Sequence, residues 1–259
     1  MIVTDTDPNC VDAQWMQDRC VALVITDDSP ADQLGAALSE FLAFAAELAD
    51  RPTDASVSLA SRAVDHGRVA RQHGMWPRSV LAAAELRAGV RHGAGVERSD
   101  ARVIVRPAVA SDADAIAGLW CEQADYEARV GTMRVSPAIK ASVAASIPAR
   151  IEGDGVILVA QVAGEIVAAV VAESAAASSW AGERLTVAPV SYLAMASTTV
   201  RARGSGVGSA LVGGVHRHHL ATGVRVSALH YSAYNPLSIP FWSQHGYRPV
   251  VTQFACRVD

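Results

Sequence analysis

Lysine is almost absent. Lys140 is the only one in 259 residues, so nearly all positive charge is arginine. Carboxylates are missing from a whole region. From Leu185 to Val258 there is no Asp or Glu, yet that stretch holds six arginines (Arg201, Arg203, Arg217, Arg225, Arg248, Arg257) and five of the eight histidines. A long segment without a carboxylate predicts a polyanionic ligand close by. The net charge of −4 leaves no basic field for wholesale nucleic-acid binding. The four cysteines (Cys10, Cys20, Cys121, Cys256) form no CxxC pair and no dense framework, which predicts reduced thiols in a cytoplasmic protein. The opening MIVTDTDPNC lacks the basic segment and apolar run of a signal peptide. No apolar run reaches the length of a membrane span, so no membrane partner is expected. Aromatics make up 5% of the chain against 51% hydrophobic, so the core is expected to be Ala, Val and Leu, in one large domain or two modest ones.

A composition break at Gly93–Asp100 has the Gly, Ser and charged content of a linker. The division predicted is residues 1–95, a linker at 96–102, and residues 103–259. After the linker comes a short strand, Val103–Arg106, closed by Pro107. A helix follows, capped by Ser111 with Asp114 three residues on, and with Ile116, Leu119 and Trp120 on one face. A second helix is expected over Pro137–Ile147. Val156–Val162 and Glu165–Glu173 read as a hairpin turning at Ala163–Gly164, and Ser174–Ala188 as a loop. The final third alternates: strand Ser191–Thr198, glycine loop, helix Val207–Ala221, strand Val226–Tyr231, helix Pro236–His245, strand Val250–Val258. This order predicts an α/β fold with a mixed sheet and crossover helices.

The chain also contains an internal likeness. Residues 20–86 can be laid over 193–258 almost without gaps. Gln72-His73-Gly74-Met75-Trp76-Pro77 matches Gln244-His245-Gly246-Tyr247-Arg248-Pro249. Gly35 to Gly74 is 39 residues, and Gly208 to Gly246 is 38. The expectation is a tandem arrangement whose N-terminal copy is incomplete, lacking the first strands and helices.

The segment that carries chemistry is Arg203-Gly204-Ser205-Gly206-Val207-Gly208, after a strand and opening a helix. A helix N-terminus offers free N–H groups and partial positive charge. Glycines let the backbone approach a phosphate, and arginine adds a fixed charge with several donors. A dinucleotide fold needs an acid about 20 residues further on to hold the ribose, and none occurs before Asp259. A P-loop needs a Gly-Lys-Ser/Thr ending, which is absent.

On these residues, Val103–Asp259 resembles the GNAT superfamily of N-acetyltransferases. Arg-Gly-Ser-Gly-Val-Gly fits its pyrophosphate loop, and Leu229, Asn235, Phe241-Trp242 and Gly246-Tyr247 fit its later strand–helix motif. The resemblance implies acetyl-CoA as co-substrate. Ser197, Thr198 and Val200 would pair with the pantetheine arm and acetyl carbonyl. Arg203, Gly204, Ser205, Gly206, Val207, Gly208 and Ser209 would cradle the pyrophosphate, and Asn235 and Trp242 would help place the cofactor. Asn235 reads equally as a cap before Pro236. One departure stands out. Trp242 occupies a position where the family often has a tyrosine, a proton donor to the departing thiolate, which leaves Tyr231 or Tyr234 as substitute phenols. With no carboxylate on the flanking strands, Glu173 and His230 are the candidate bases; an ordered water is another. Tyr126, Glu122 and Arg129 fall where the superfamily's substrate loop runs. The helix carrying His216, His218 and His219 is expected to turn them to solvent, and no metal site is expected.

In the N-terminal copy the loop positions read Pro30-Ala31-Asp32-Gln33-Leu34-Gly35. Ser29 and Asp32 would cap that helix, and Asp27 and Asp28 would repel a phosphate, so this copy is expected to be structural. The acceptor implied is a small-molecule amine or a peptide N-terminus, and a homodimer is compatible with the sequence. The rival reading is a non-catalytic acyl-CoA-binding sensor or scaffold.

Overall fold

The computed structural model describes residues 1–5, 19–25, 30–48, 53–87, 103–130 and 133–258. The linker predicted at 96–102, with Cys10, Asp27, Asp28 and Ser29, lies outside the described residues. The first part contains β1 (Ile2–Asp5), β2 (Arg19–Leu23), α1 (Ala31–Glu47), β3 (Thr53–Ala60), α2 (Val64–Gln72) and β4 (Trp76–Glu85). The second contains β5 (Val103–Pro107), α3 (Ala113–Arg129), α4 (Pro137–Glu152), β6 (Val156–Val162), β7 (Glu165–Ala172) and α5 (Ser179–Leu185). It ends with β8 (Val190–Thr198), α6 (Val207–Ala221), β9 (Val226–Ser232), α7 (Ser238–Gln244) and β10 (Arg248–Val258).

The ten strands of the described residues form one mixed sheet, in the order β1-β2-β3-β10-β4-β9-β8-β7-β6-β5. The two parts exchange strands at its centre. β10 lies antiparallel between β3 and β4, and β4 lies antiparallel between β10 and β9. Each part's last strand therefore separates the other part's last two. Alternation along the strands sends side chains to opposite faces. Leu158, Val170, Leu193 and Leu229 meet Val207, Leu211 and Val215 of α6 on one face. Ile157, Val159, Val171 and Met195 meet Ile116, Trp120, Val143 and Ile147 of α3 and α4 on the other. A fully buried Leu or Ile of this kind is worth about 1.5–3 kcal/mol.

The two matching segments fold alike. α2 and α7 end on Gln72 and Gln244. His73 Nδ1 meets Val69 O at 2.9 Å, and His245 Nδ1 meets Phe241 O at 2.7 Å. Gly74 and Gly246 follow with φ of 76° and 88°, and Met75 N and Tyr247 N each reach back to the carbonyl five residues earlier at 3.1 Å. The backbone reversal requires a left-handed residue, which is why glycine stands there.

Several local expectations need correction. Ser111 makes no cap for α3. Instead the carboxylate of Asp112 accepts two bonds from Arg106, at 2.6 and 3.0 Å, and one from Val109 N at 2.8 Å. The Arg106 bonds hold that carboxyl below its usual range. The second helix does not stop at Ile147 but runs through Pro148 to Glu152, because Val143, Ile147 and Ile151 anchor it to the sheet. The loop expected at Ser174–Ala188 contains α5, which buries Ala181 and packs Leu185 beneath β8 and β9. α1 starts at Ala31, with no side-chain cap from Pro30. Two of the three α6 histidines are buried. His216 bonds Tyr247, and His219 Nε2 meets Ser191 Oγ at 2.9 Å. Ser191 gives its own proton to Glu173 O, so His219 donates; burial pushes its pKa down to about 4.

Candidate active site

β8 and β9 are parallel neighbours, but they pair only from Val190↔Val226 to Leu193↔Leu229. Beyond that register β8 continues to Thr198 and β9 to Ser232, and the strands diverge. On its other side β8 remains paired, with Ser197 opposite Ala169 and Thr198 opposite Ala168. The β9-facing backbone edge of Ala194–Thr198 thus lacks a strand partner, and unpaired edge groups are available to a ligand.

A cavity of about 540 Å³ opens at this divergence. The glycine loop forms one wall. Gly204 and Gly206 have φ of 76° and 83°, conformations that disfavour any Cβ. Gly206 is also the boundary residue of α6, whose first turn has no acid and no side-chain cap. A Cβ on Gly208 would sit 3.3 Å from the Phe241 ring, so the helix start and α7 are packed as close as glycine allows. Arg203 folds back over the loop. Its Nε donates to Thr198 O at 3.2 Å, and its guanidinium lies 5.5 Å from the centre of the Tyr126 ring.

Ten of the twelve residues expected to bind the cofactor line this cavity: Ser197, Thr198, Arg203, Gly204, Ser205, Gly206, Gly208, Ser209, Asn235 and Trp242. Val200 is 74% exposed outside it, and Val207 is buried in the core beneath the loop. Asn235 is bonded as a cap. Its Oδ1 accepts from Leu237 N at 2.9 Å and Ser238 N at 3.1 Å. Of the six arginines in the acid-free segment, only Arg203 lines the cavity. Arg201 is paired with Glu165, while Arg225 and Arg248 bond nearby carbonyls.

The candidate bases and acids are placed differently. Glu173 follows β7 at the end away from the larger cavity, whose β7 lining is Ala169 and Val170, and its side chain lies 3.6 Å from Arg150. His230 and Tyr231 line a second cavity of about 40 Å³ between the diverging strands, which shares Gln123, Glu127, Ala196, Ser238 and Trp242 with the first. His230 Nδ1 lies 3.0 Å from Tyr192 Oη, and its ring stacks on Trp180. Burial pushes the His230 pKa down to about 4, so the imidazole is neutral at pH 7. Burial also raises the Tyr231 pKa. Trp242 packs edge-on against Phe241 and Tyr247.

Of the residues expected to contact substrate, Tyr126 lines the larger cavity, whereas Glu122 and Arg129 sit on the exposed side of α3. The residues missed are Gln123 and Glu127. Both line both cavities, and Glu127 is 5% exposed. A signal existed: Glu127 continues the buried stripe of Ile116, Trp120 and Ala124, an unusual place for a carboxylate.

The loop, the acid-free helix start and the diverging strand edge fit the pyrophosphate and pantetheine of an acyl-CoA by charge, by backbone donors and by space. Comparison with solved structures gives the same fold. The chain superposes on a GNAT-family acetyltransferase from Colwellia psychrerythraea with a TM-score of 0.55 at 9% identity, covering 86% of this chain and 73% of that one. A GCN5-related N-acetyltransferase from Sphaerobacter thermophilus gives 0.52 at 16% identity; 81% of this chain is covered, and it spans 61% of that longer chain. A tandem GNAT protein from the clavulanic acid biosynthesis pathway gives 0.51 at 15% identity, covering 83% of this chain and 68% of the other. No family profile and no curated protein matches the sequence. The chain has the GNAT superfamily fold, with a mixed sheet of the kind its sequence predicts. Among the described residues no helix is long and apolar enough to cross a membrane.

Proposed function

We propose that the protein is an acetyl-CoA-dependent N-acetyltransferase that moves an acetyl group directly to an amine held beside the thioester. The observation that carries this reading is the glycine loop closing a cavity where β8 and β9 diverge. Bound there, acetyl-CoA supplies an activated acyl group. Backbone N–H groups of Ser205–Ser209 hold its pyrophosphate, with Arg203 adding charge. The free edge of β8 near Ser197 and Thr198 orients the pantetheine and offers N–H donors to the carbonyl oxygen. The acceptor is a small amine or a peptide N-terminus, the setting is cytoplasmic, and residues 1–95 are a structural copy that binds no cofactor. Trp242 in place of a phenolic donor favours the second reading, an acyl-CoA sensor without turnover.

Melting curves and CoA release separate these readings. At about 100 times its dissociation constant a ligand adds roughly 2.7 kcal/mol. For a chain of this size that is on the order of 5–10 °C. Acetyl-CoA is expected to give such a shift, and NAD and ATP none. Release of free CoA with an amine present supports the enzyme. A shift with no release across an amine panel supports the sensor, and no shift rejects both.

A further inference from the structure

The amide of Gln123 borders both cavities, yet its Oε1 is buried and accepts no bond among the described residues. Turning the amide over would leave an NH2 group, with two donors, in the same place. A buried acceptor without a donor loses its hydration and gains nothing in return. The smaller cavity beside it is walled in large part by neutral polar side chains: Tyr192, His230, Tyr231, Ser232 and Ser238. Burial keeps both phenols protonated and the imidazole neutral at pH 7. Tyr192 Oη and His230 Nδ1 satisfy one another at 3.0 Å. Ser232 Oγ accepts from Tyr234 N at 3.1 Å and keeps a proton to give. Glu127, the charged residue of the wall, is engaged by Asn235 Nδ2. The cavity therefore suits a small neutral group that both gives and accepts hydrogen bonds. An alkyl group of the same size would cover these atoms without pairing them.

Size and position narrow the choice. The space is about 40 Å³, more than the roughly 10–15 Å³ that one water needs, so it admits a few heavy atoms and no long chain. In the acyltransferase reading the thioester lies at the β8 edge near Ser197 and Thr198. The smaller cavity begins one residue back, at Ala196, and runs toward Tyr192. One strand residue advances about 3.3 Å. That is the reach from an amine nitrogen to a hydroxyl on the adjacent carbon.

We propose that the smaller cavity selects the acceptor: the substrate is a vicinal amino alcohol, whose hydroxyl enters this space and donates to Gln123 Oε1. This inference rests on the acyltransferase reading. Gln123 and Ser232 are specificity-determining residues that hold the acceptor by its hydroxyl, and neither takes part in the bond exchange.

The test uses the full chain as wild type, Gln123→Met and Ser232→Ala, with acetyl-CoA and two amines of equal size, ethanolamine and n-propylamine. The two amines differ in basicity, so the readout is how their kcat/KM ratio changes between proteins, which cancels that difference. Wild type should favour ethanolamine. The ratio should fall at least about tenfold in Gln123→Met, because a site built around a hydroxyl discriminates through the group left unpaired. It should fall about threefold in Ser232→Ala, which carries the test if Gln123→Met melts early. An unchanged ratio in the variants that fold overturns the proposal. So does a wild-type protein that uses butyryl-CoA as well as acetyl-CoA, since the acyl chain would then occupy the cavity. Release of CoA with other amines but with neither of these two also overturns it, and leaves the acyltransferase reading standing. Failure to bind acetyl-CoA, or binding without CoA release on any amine, rejects that reading and this subsite with it.

Discussion

The two halves of the sheet each place a helix after a strand of a parallel pair, and they differ at that junction. β2 is paired with β3 along its whole length, from Arg19↔Thr53 to Leu23↔Val57. β8 is paired with β9 over only its first part and then diverges. α1 opens on Pro30 with Asp32 in its first turn. α6 opens on a loop with two left-handed glycines and no acid. In the first half the strands are zipped shut and the helix dipole has an acid beside it. In the second half the strands part and the dipole points into a cavity. One framework can thus close on itself or open a cavity according to a few residues between strand and helix.

The strand exchange gives the sharpest way to break this comparison. If β4 is an essential part of the second half's sheet, residues 103–259 alone should show no cooperative melting. Mixing with residues 1–102 should restore it. A fragment that melts like the whole chain would mean that the exchange contributes nothing. The next effect concerns the junctions. Gly206→Glu puts a carboxylate on the cavity wall at a left-handed position. It should abolish the acetyl-CoA melting shift while the circular dichroism spectrum stays folded. The reciprocal change, Asp32→Arg, should leave calorimetric stoichiometry at one site per chain, because β2, unlike β8, has no stretch that has parted from its parallel neighbour. A second site would overturn the view that strand divergence matters as much as charge.

The smallest effect is acid sensitivity. His219 and His230, both in the second half, have pKa values lowered by burial to about 4, against an ordinary 6.5. The unfolded chain binds these protons more readily. Their contribution is therefore complete above pH 6.5 and is lost as pH falls toward 4, at about 1.4 kcal/mol per pH unit for each imidazole. Hydrogen exchange at pH 5 should show β8 and β9 losing protection before β3. His219→Gln should flatten much of the pH dependence.

What was legible in the sequence was local. The Arg203–Gly208 loop announces itself because glycine spacing and an arginine are contiguous. The two Gln-His-Gly segments declare the same helix ending because five residues suffice to make it. The exchange of β4 and β10 leaves no such trace, since Phe254 pairs with Val57 and Pro77 across nearly 200 residues of chain. Glu127 was hidden for another reason. Glu122, Asp125 and Glu127 look alike in a charged stretch, and only the rotation of α3 decides which one faces the cavity. Periodicity could have narrowed the choice, because Tyr126 in the site brings Gln123 with it three residues back, and Gln123 brings Glu127 four residues on. The buried α6 histidines were missed because their partners, Ser191 and Tyr247, are remote in sequence.

The position of β10 also bears on the order in which the protein can be made. Of the ten described strands β10 is the last to leave the ribosome, yet its place is between β3 and β4. Until it arrives, the first half has a gap in its sheet with two hydrogen-bonding edges exposed, and Val57 lacks Phe254 as a packing partner. The first half cannot finish folding during its own synthesis, as an independent N-terminal domain would. It must wait through the synthesis of more than 160 further residues, and a nascent chain stalled before Arg248 should be strongly retained by chaperones that bind open strand edges.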